Sequence, residues 1–301
     1  MRGVISWAIA IVITLVAVFF QRSTGPGHPS KELMEVNGGD FKAVFPRSLV
    51  RPKNNDPANA TNATNDPATL LTVKIRCTPE DQEKLIGAVL YYKRYPGTDN
   101  FTPVVPSFST EEDELLVNAE IPVQPAAGKI SYYLQLIGHQ GVVANSEHII
   151  LRFRDHVPAV ILILHILFVF FAFLFSNFTG LYTFAGNVRI NPYALTTMLL
   201  LVAGGFILGP VVQKYAFGVW WSGWPLGGDM TDTKTLIAFL SWTVAYVINR
   251  IPCSAAAICR WRRYLYLAAA LVTMAVYSIP HSTAGSEYDY QSGTIVTGNK
   301  E

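Results

Sequence analysis

The chain has 301 residues, half of them hydrophobic, only 15% charged, and a formal net charge of +2. A charged share well under the ~25% of ordinary soluble domains implies membrane spans, and so small a net charge excludes a protein that grips nucleic acid through a basic surface. Cys253 and Cys259 share one short basic loop and Cys77 lies far away, which is neither a disulfide framework nor a zinc spacing, so all three read as free thiols.

Residues 1–21 read as a membrane anchor. Arg2 precedes an uncharged apolar run over 4–20, and the run ends VAVFFQRS without the small residues of a cleavage site, so the anchor is expected to stay uncleaved. Residues 22–69 read as a hairpin followed by a polar linker. Met34–Val36 and Phe41–Phe45 flank Asn37-Gly38, a two-residue turn signal. The segment NNDPANATNATNDPA over 54–68 is polar and low in complexity. It carries Asn-x-Thr patterns at Asn59 and Asn62, which matter only on a eukaryotic secretory route.

From residue 70 the hydrophobic period becomes two. Leu71, Val73, Ile75 and Cys77 alternate with polar neighbours, as do Leu115, Val117, Ala119 and Ile121, and then Ile149, Leu151 and Phe153. Such alternation marks half-buried strands. Further strands are expected over 87–95 and 129–137, with Pro96-Gly97, Pro125, Gly128, Gly138 and Gly141 as punctuation. Residues 70–155 are therefore expected to form an antiparallel β-sandwich.

Residues 156–281 are expected to hold four more spans, at 157–176, 193–216, 235–248 and 264–279, leaving 282–301 as a tail. The fold class is then a membrane α-helical bundle of about five spans plus an extracytoplasmic antiparallel β-sandwich. Gly205-x-x-x-Gly209 in the third span either admits a close helix neighbour or is ordinary membrane glycine. Arg250, Arg260, Arg262 and Arg263 crowd the loop 249–263, and Arg189 and Arg2 flank other spans. Positive charge collects on the cytoplasmic side. The β-domain, the loop 217–234 and the tail then face outward, as in a bacterial inner-membrane protein with a periplasmic domain.

The loop 217–234, FGVWWSGWPLGGDMTDTK, gathers what chemistry the sequence offers. Trp220, Trp221 and Trp224, the acids Asp229 and Asp232, and Lys234 lie on the face expected to receive His281, Ser282 and Glu287 from the tail. His156 opens the second span on the same side. Together they form a candidate binding cluster at the outer face, two histidines and several carboxylates that could bind a metal or a heme or relay protons, or they are simply solvated interfacial groups. Lys234 is placed to pair with a carboxylate, and the loop is expected to fold back over the helix ends and meet the tail. His165 lies deep in a span, where an ionisable group is expensive and defaults to a functional reading. The structural alternative is a neutral ring bonded to Ser241, Thr243 or a backbone carbonyl. His28, His139 and His148 read as surface residues. There is no nucleotide-binding loop, no His-Glu-x-x-His and no nucleophile elbow, so nothing marks an enzyme.

Two resemblances add to this. GAVLYYKRYPG and AGKISYYLQL resemble strands of fibronectin type III-like domains, implying a binding or spacing module. WWSGWPLGGDMTDTKTLIAFLSW resembles the tryptophan-rich loop of heme-handling cytochrome c assembly membrane proteins. That resemblance implies heme cradled by Trp220, Trp221 and Trp224, with His156 and His281 as axial ligands. The chain departs from that family in the stretched PLGG spacing, in having no span after His281 and in its sandwich domain. The reading of the whole is a non-enzymatic polytopic membrane protein, an accessory subunit, assembly factor or envelope scaffold. Its partners are the lipid bilayer and other membrane or envelope proteins, its cofactor unknown, with heme handling as the alternative.

Overall fold

The structure is a computed structural model that describes residues 2–25, 27–52, 68–141, 143–185, 189–255, 260–279 and 285–297. Most of the polar linker, with Asn59 and Asn62, lies outside the described residues. The chain divides into two compact units: Pro26–His156 with Glu287–Val296, and Met1–Gly25 with Val157–Ser286 and Thr297–Glu301.

The first unit is built from two β-sheets. One runs β1 (Ser30–Val36), β2 (Gly39–Phe45), β4 (Ala68–Arg76), β8 (Glu114–Pro122), β7 (Ser107–Glu111) in spatial order. The other runs β3 (Ser48–Val50), β11 (Ile149–Arg154), β9 (Lys129–Gly138), β5 (Leu85–Tyr95), β6 (Thr102–Val104), with β10 (Val143–Asn145) also on β9. The alternating residues of both sheets bury into one core: Leu71, Val73, Ile75, Val117 and Ile121 from one, Leu90, Leu134, Leu136, Leu151 and Phe153 from the other. Pairing is antiparallel except where β3 lies parallel to β11, Arg152 opposite Ser48. That pair departs from the all-antiparallel expectation. It arises because the chain leaving β2 crosses to the second sheet, so β3 runs beside the last strand in the same direction.

The boundary expected at residue 70 does not divide this unit. β2 pairs with β4, Ala43 opposite Ile75, and Met34, Val36, Phe41, Ala43 and Phe45 are buried in the same core. The turn between β1 and β2 has Asn37 at φ 50° and Gly38 at φ 70°, the geometry that Asn-Gly supplies in a tight hairpin. Its tip sits so close to Gly138 that a Cβ there would lie 2.4 Å from Val36 Cγ1. The tail also belongs here in part. β12 (Glu287–Asp289) and β13 (Thr294–Val296) form a hairpin in which Glu287 forms an ion pair with Lys129, Tyr288 N donates to the Ala127 carbonyl and Tyr290 Oη donates to the Lys129 carbonyl at 3.0 Å.

The second unit is helical: α1 (Arg2–Thr24), α2 (Ala159–Tyr182), α3 (Asn191–Leu201), α4 (Gly209–Phe217), α5 (Met230–Arg250) and α6 (Tyr264–Ser278). Between α3 and α4, Val202–Leu208 winds as a wider π-helical turn, so α3 and α4 form one rod. Among the described residues, three helices are long and apolar enough to cross a membrane: Gly3–Thr24, Ala159–Ala185 and Asn191–Phe217. The expected count of about five is not reached on length and apolarity. α5 carries Asp232, Lys234 and Arg250, and α6 has only 15 residues.

The helices meet through specific contacts. Trp7 of α1 stacks on Phe178 of α2 with ring centroids 4.1 Å apart, and Asn177 Nδ2 donates to Thr14 Oγ1 at 3.0 Å in the buried seam. Trp242 Nε1 of α5 donates to Thr273 Oγ1 of α6 at 2.9 Å. A Cβ on Gly205 would lie 2.4 Å from Thr235 Cγ2, whereas one on Gly209 would meet only ordinary contacts. Of the two glycines in the expected motif, Gly205 is the one that admits a neighbour.

Candidate functional site

The loop between α4 and α5 starts and ends with helix-terminal chemistry. Gly218 takes φ 79° to cap α4, its N–H returning to the Lys214 carbonyl, a left-handed position that costs glycine little. Asp229 is the N-cap of α5, its Oδ1 accepting from Thr231 N at 2.8 Å. Thr233 adds a second tie, donating through Oγ1 to the Asp229 carbonyl and accepting from Trp224 N at 3.0 Å.

Ser222 is the centre of the loop and is fully buried. Its backbone N–H donates to Asp232 Oδ2 at 2.8 Å. Its hydroxyl lies 3.0 Å from Asp229 Oδ2 and 3.2 Å from Asp232 Oδ2. The Gln213 amide of α4 completes the group, its nitrogen donating to Asp232 Oδ2 at 2.9 Å and to the Trp220 carbonyl, its oxygen facing Ser222 Oγ. Burial pushes the Asp232 carboxyl above the usual carboxylate range and the neighbouring Asp229 adds to this, while the Ser222 N–H works against it.

The loop meets the tail through backbone. Ser286 N donates to Asp229 Oδ2 at 3.3 Å, and Gly228 N donates to the Thr297 carbonyl at 3.4 Å. Lys234 is buried and donates from Nζ to the Ile279 carbonyl at 2.7 Å. Burial pushes its ammonium down to about 8, with Asp229 opposing the shift. Gly223 and Gly227 permit the packing: a Cβ on the first would lie 2.5 Å from Asp232 Cβ, and on the second 2.2 Å from Thr297 Oγ1.

The tryptophans divide. Trp221 turns inward, stacking on Phe206 at 5.6 Å and donating from Nε1 to the Gly223 carbonyl at 3.0 Å. Trp220 and Trp224 are 58% and 63% exposed, with Leu226 at 76% beside them. Of the expected cluster, the structure thus brings together Asp229, Asp232 and Lys234 at the foot of the loop. It assigns Glu287 to the β unit, where its carboxylate is engaged by Lys129, because β12 hydrogen-bonds along Ala127. His156 is exposed at the end of the β unit. His281 and Ser282 lie outside the described residues. Among the described residues no group of three or more His, Cys, Asp or Glu is placed to hold a metal ion. Ser222, Gln213 and Ser286 were not singled out by sequence. A serine between tryptophans carries no periodic or motif signal, and its role follows only once α4 and α5 converge.

His165 resolves as a bonded ring. Its Nδ1 lies 2.9 Å from the Gly204 carbonyl in the π-helical turn, so the backbone carbonyl is the partner rather than Ser241 or Thr243, which bond within their own helix. Cys253 is disulfide-bonded, against the expectation of a free thiol, and Cys77 is free.

No family model and no curated protein sequence matches the chain. A solved structure of Astrotactin-2, described as a conserved vertebrate-specific and perforin-like membrane protein involved in neuronal development, aligns with 81% of this chain and 37% of its own, at 11% identity and a TM-score of 0.23. A likeness that low carries no argument about fold or function.

Proposed function

We propose that the chain is a non-enzymatic integral membrane protein, an accessory subunit, assembly factor or envelope scaffold, whose β unit is an extracytoplasmic binding domain. The observation that carries this is the internal use of the loop's polar groups. Asp229 caps a helix, Asp232 accepts from the Ser222 backbone, and Ser222 is fully buried between them. These groups build the loop, with the Ser222 hydroxyl fully buried against two carboxylates.

Other features support the finer reading. α5 exposes Ile237, Leu240, Val244 and Val247 along one side, and α6 exposes Leu271 and Val272. Apolar outward faces of this kind suit lipid, which supports about five spans despite the charges at the ends of α5. Two sheets sharing one core support a fibronectin type III-like sandwich. The arginines of 249–263 support a bacterial inner-membrane placement with the β unit, the tryptophan loop and the tail outside. The heme reading rests on the sequence resemblance of the tryptophan loop.

The full chain, purified in mild detergent, tests both. A colourless protein is expected, and a photo-crosslinking residue at Val105, 83% exposed, is expected to give discrete protein adducts in cells. A Soret band would overturn the scaffold reading in favour of heme handling. Absence of any adduct from Val105 and from a second exposed position, Leu33, would remove the binding role of the β unit.

A further inference from the structure

The end of the helical unit away from the tryptophan loop carries a cluster the proposed function does not use. Arg189, Arg250 and Arg260 are exposed, Arg262 and Arg263 are half-buried, and Trp261 is 72% exposed among them. Neither connecting segment, 177–192 or 249–263, contains an acidic residue.

Three contacts fix where this cluster sits. Tyr266 Oη of α6 donates to Asn191 Oδ1 at 2.9 Å, the first residue of one membrane-length helix. The Tyr264 ring lies 5.9 Å from Phe184, at the last turn of another. Trp261 lies 5.5 Å from the same Tyr264 ring. The arginine-tryptophan cluster therefore stands at the level where two apolar helices leave the hydrocarbon. It is also held in place. Arg262 Nη1 donates to the Ile251 carbonyl at 3.2 Å, Asn249 Nδ2 donates to the Arg262 carbonyl at 3.0 Å, and the Arg263 guanidinium lies over the Tyr264 ring.

We infer that this boundary binds the headgroups of anionic phospholipids. Guanidinium groups match phosphate oxygens in a bidentate fork. An exposed indole at the same depth is satisfied by the interface, its apolar ring toward acyl chains and its N–H toward headgroups. Basic segments beside a membrane are drawn to anionic lipid, and here no carboxylate in either segment competes for the arginines. The inference rests on the membrane placement of the apolar helices and is independent of what the β unit binds.

Native mass spectrometry of the full chain in detergent tests it, with phosphatidylglycerol, phosphatidylcholine and inorganic phosphate as probes. Phosphatidylglycerol is expected to be retained on the order of tenfold better than phosphatidylcholine. The preference is expected to disappear in R250Q/R260Q and to persist in K31Q/K42Q, which removes the same charge from exposed positions on β1 and β2. R189Q, on the other connecting segment, is expected to reduce it and serves if the double variant does not fold. Equal retention of the two lipids overturns the inference. So does equal loss in K31Q/K42Q, which would make the effect one of bulk charge. Displacement of bound lipid by inorganic phosphate also overturns it, since the site would then be one for a small anion.

Discussion

Ser222 sits between two carboxylates and supplies both a backbone N–H and a hydroxyl to them. Removing the hydroxyl leaves Asp229 Oδ2 and Asp232 Oδ2 with one donor fewer in a buried site. Ser222→Ala is expected to cost about 1–3 kcal/mol, read as a lower melting temperature of the detergent-solubilised chain; an unchanged melt would show the hydroxyl to be idle. Lys234 gives a pH dependence. Its folded pKa is about 8, below the unfolded value of 10.5. Below about pH 8 both states are charged and the folded state bears the full cost of a buried ammonium. Between 8 and 10.5 the unfolded chain binds the extra proton, so stability rises with pH across that window. Melts at stepped pH are expected to show this rise, and Lys234→Met is expected to abolish it. A wild-type melt that stays flat or falls from pH 8 upward contradicts the assignment. Asp232 has the opposite sign. Its raised folded pKa favours the protonated native form, so its contribution is fullest at low pH and is lost as pH rises through that pKa.

At the scale of elements, legibility followed period. Leu71, Val73, Ile75, Val117, Ile121, Leu151 and Phe153 were readable because a strand with one buried face must alternate, and all are buried. β6 and β7 were not: β7 is exposed along its whole length and so carries no alternation. The span count is less legible, because a run such as 235–248 reads as apolar while its helix begins at Met230 and takes in Asp232 and Lys234. Meeting of loop and tail was expected from the sequence and is seen at Ser286 and Thr297. The polar centre at Ser222 was invisible because it depends on α4 and α5 converging. Gly205 was visible only as one of a pair. With a Cβ 2.4 Å from Thr235 Cγ2, it is a point where α5 packs closely on the π-helical turn. Gly205→Leu is expected to cost about 1–3 kcal/mol by overpacking, while Gly209→Ala, with its nearest neighbour at 3.4 Å, is expected to be nearly neutral. Detergent melts of the two variants separate them; equal effects would remove the special role of Gly205.

At the scale of the molecule, the division into units changes which fragment folds. A piece cut at residue 70 lacks β1, β2 and β3 and with them Val36, Phe41 and Phe45 from the core. Residues 27–156 are expected to melt cooperatively, and 70–155 to show no thermal transition; cooperative melting of the shorter piece would show that the hairpin is an ornament. Orientation is the remaining whole-molecule quantity, and two signals in one loop oppose each other. The arginines of 249–263 favour the cytoplasm, but Cys253 is disulfide-bonded, and disulfides persist on the oxidising side. The charge argument outweighs the other in physical terms. Four arginines resist translocation during insertion, before any disulfide can form, so they set the side of the loop first. The expected outcome in intact cells is that a membrane-impermeant maleimide leaves Cys253 unlabelled with or without an impermeant reductant, and that permeabilisation in the presence of the reductant exposes it. Labelling of sealed cells that appears only after the external reductant is added would place the disulfide outside. With the proposed five spans, that result would invert every span and put the β unit in the cytoplasm.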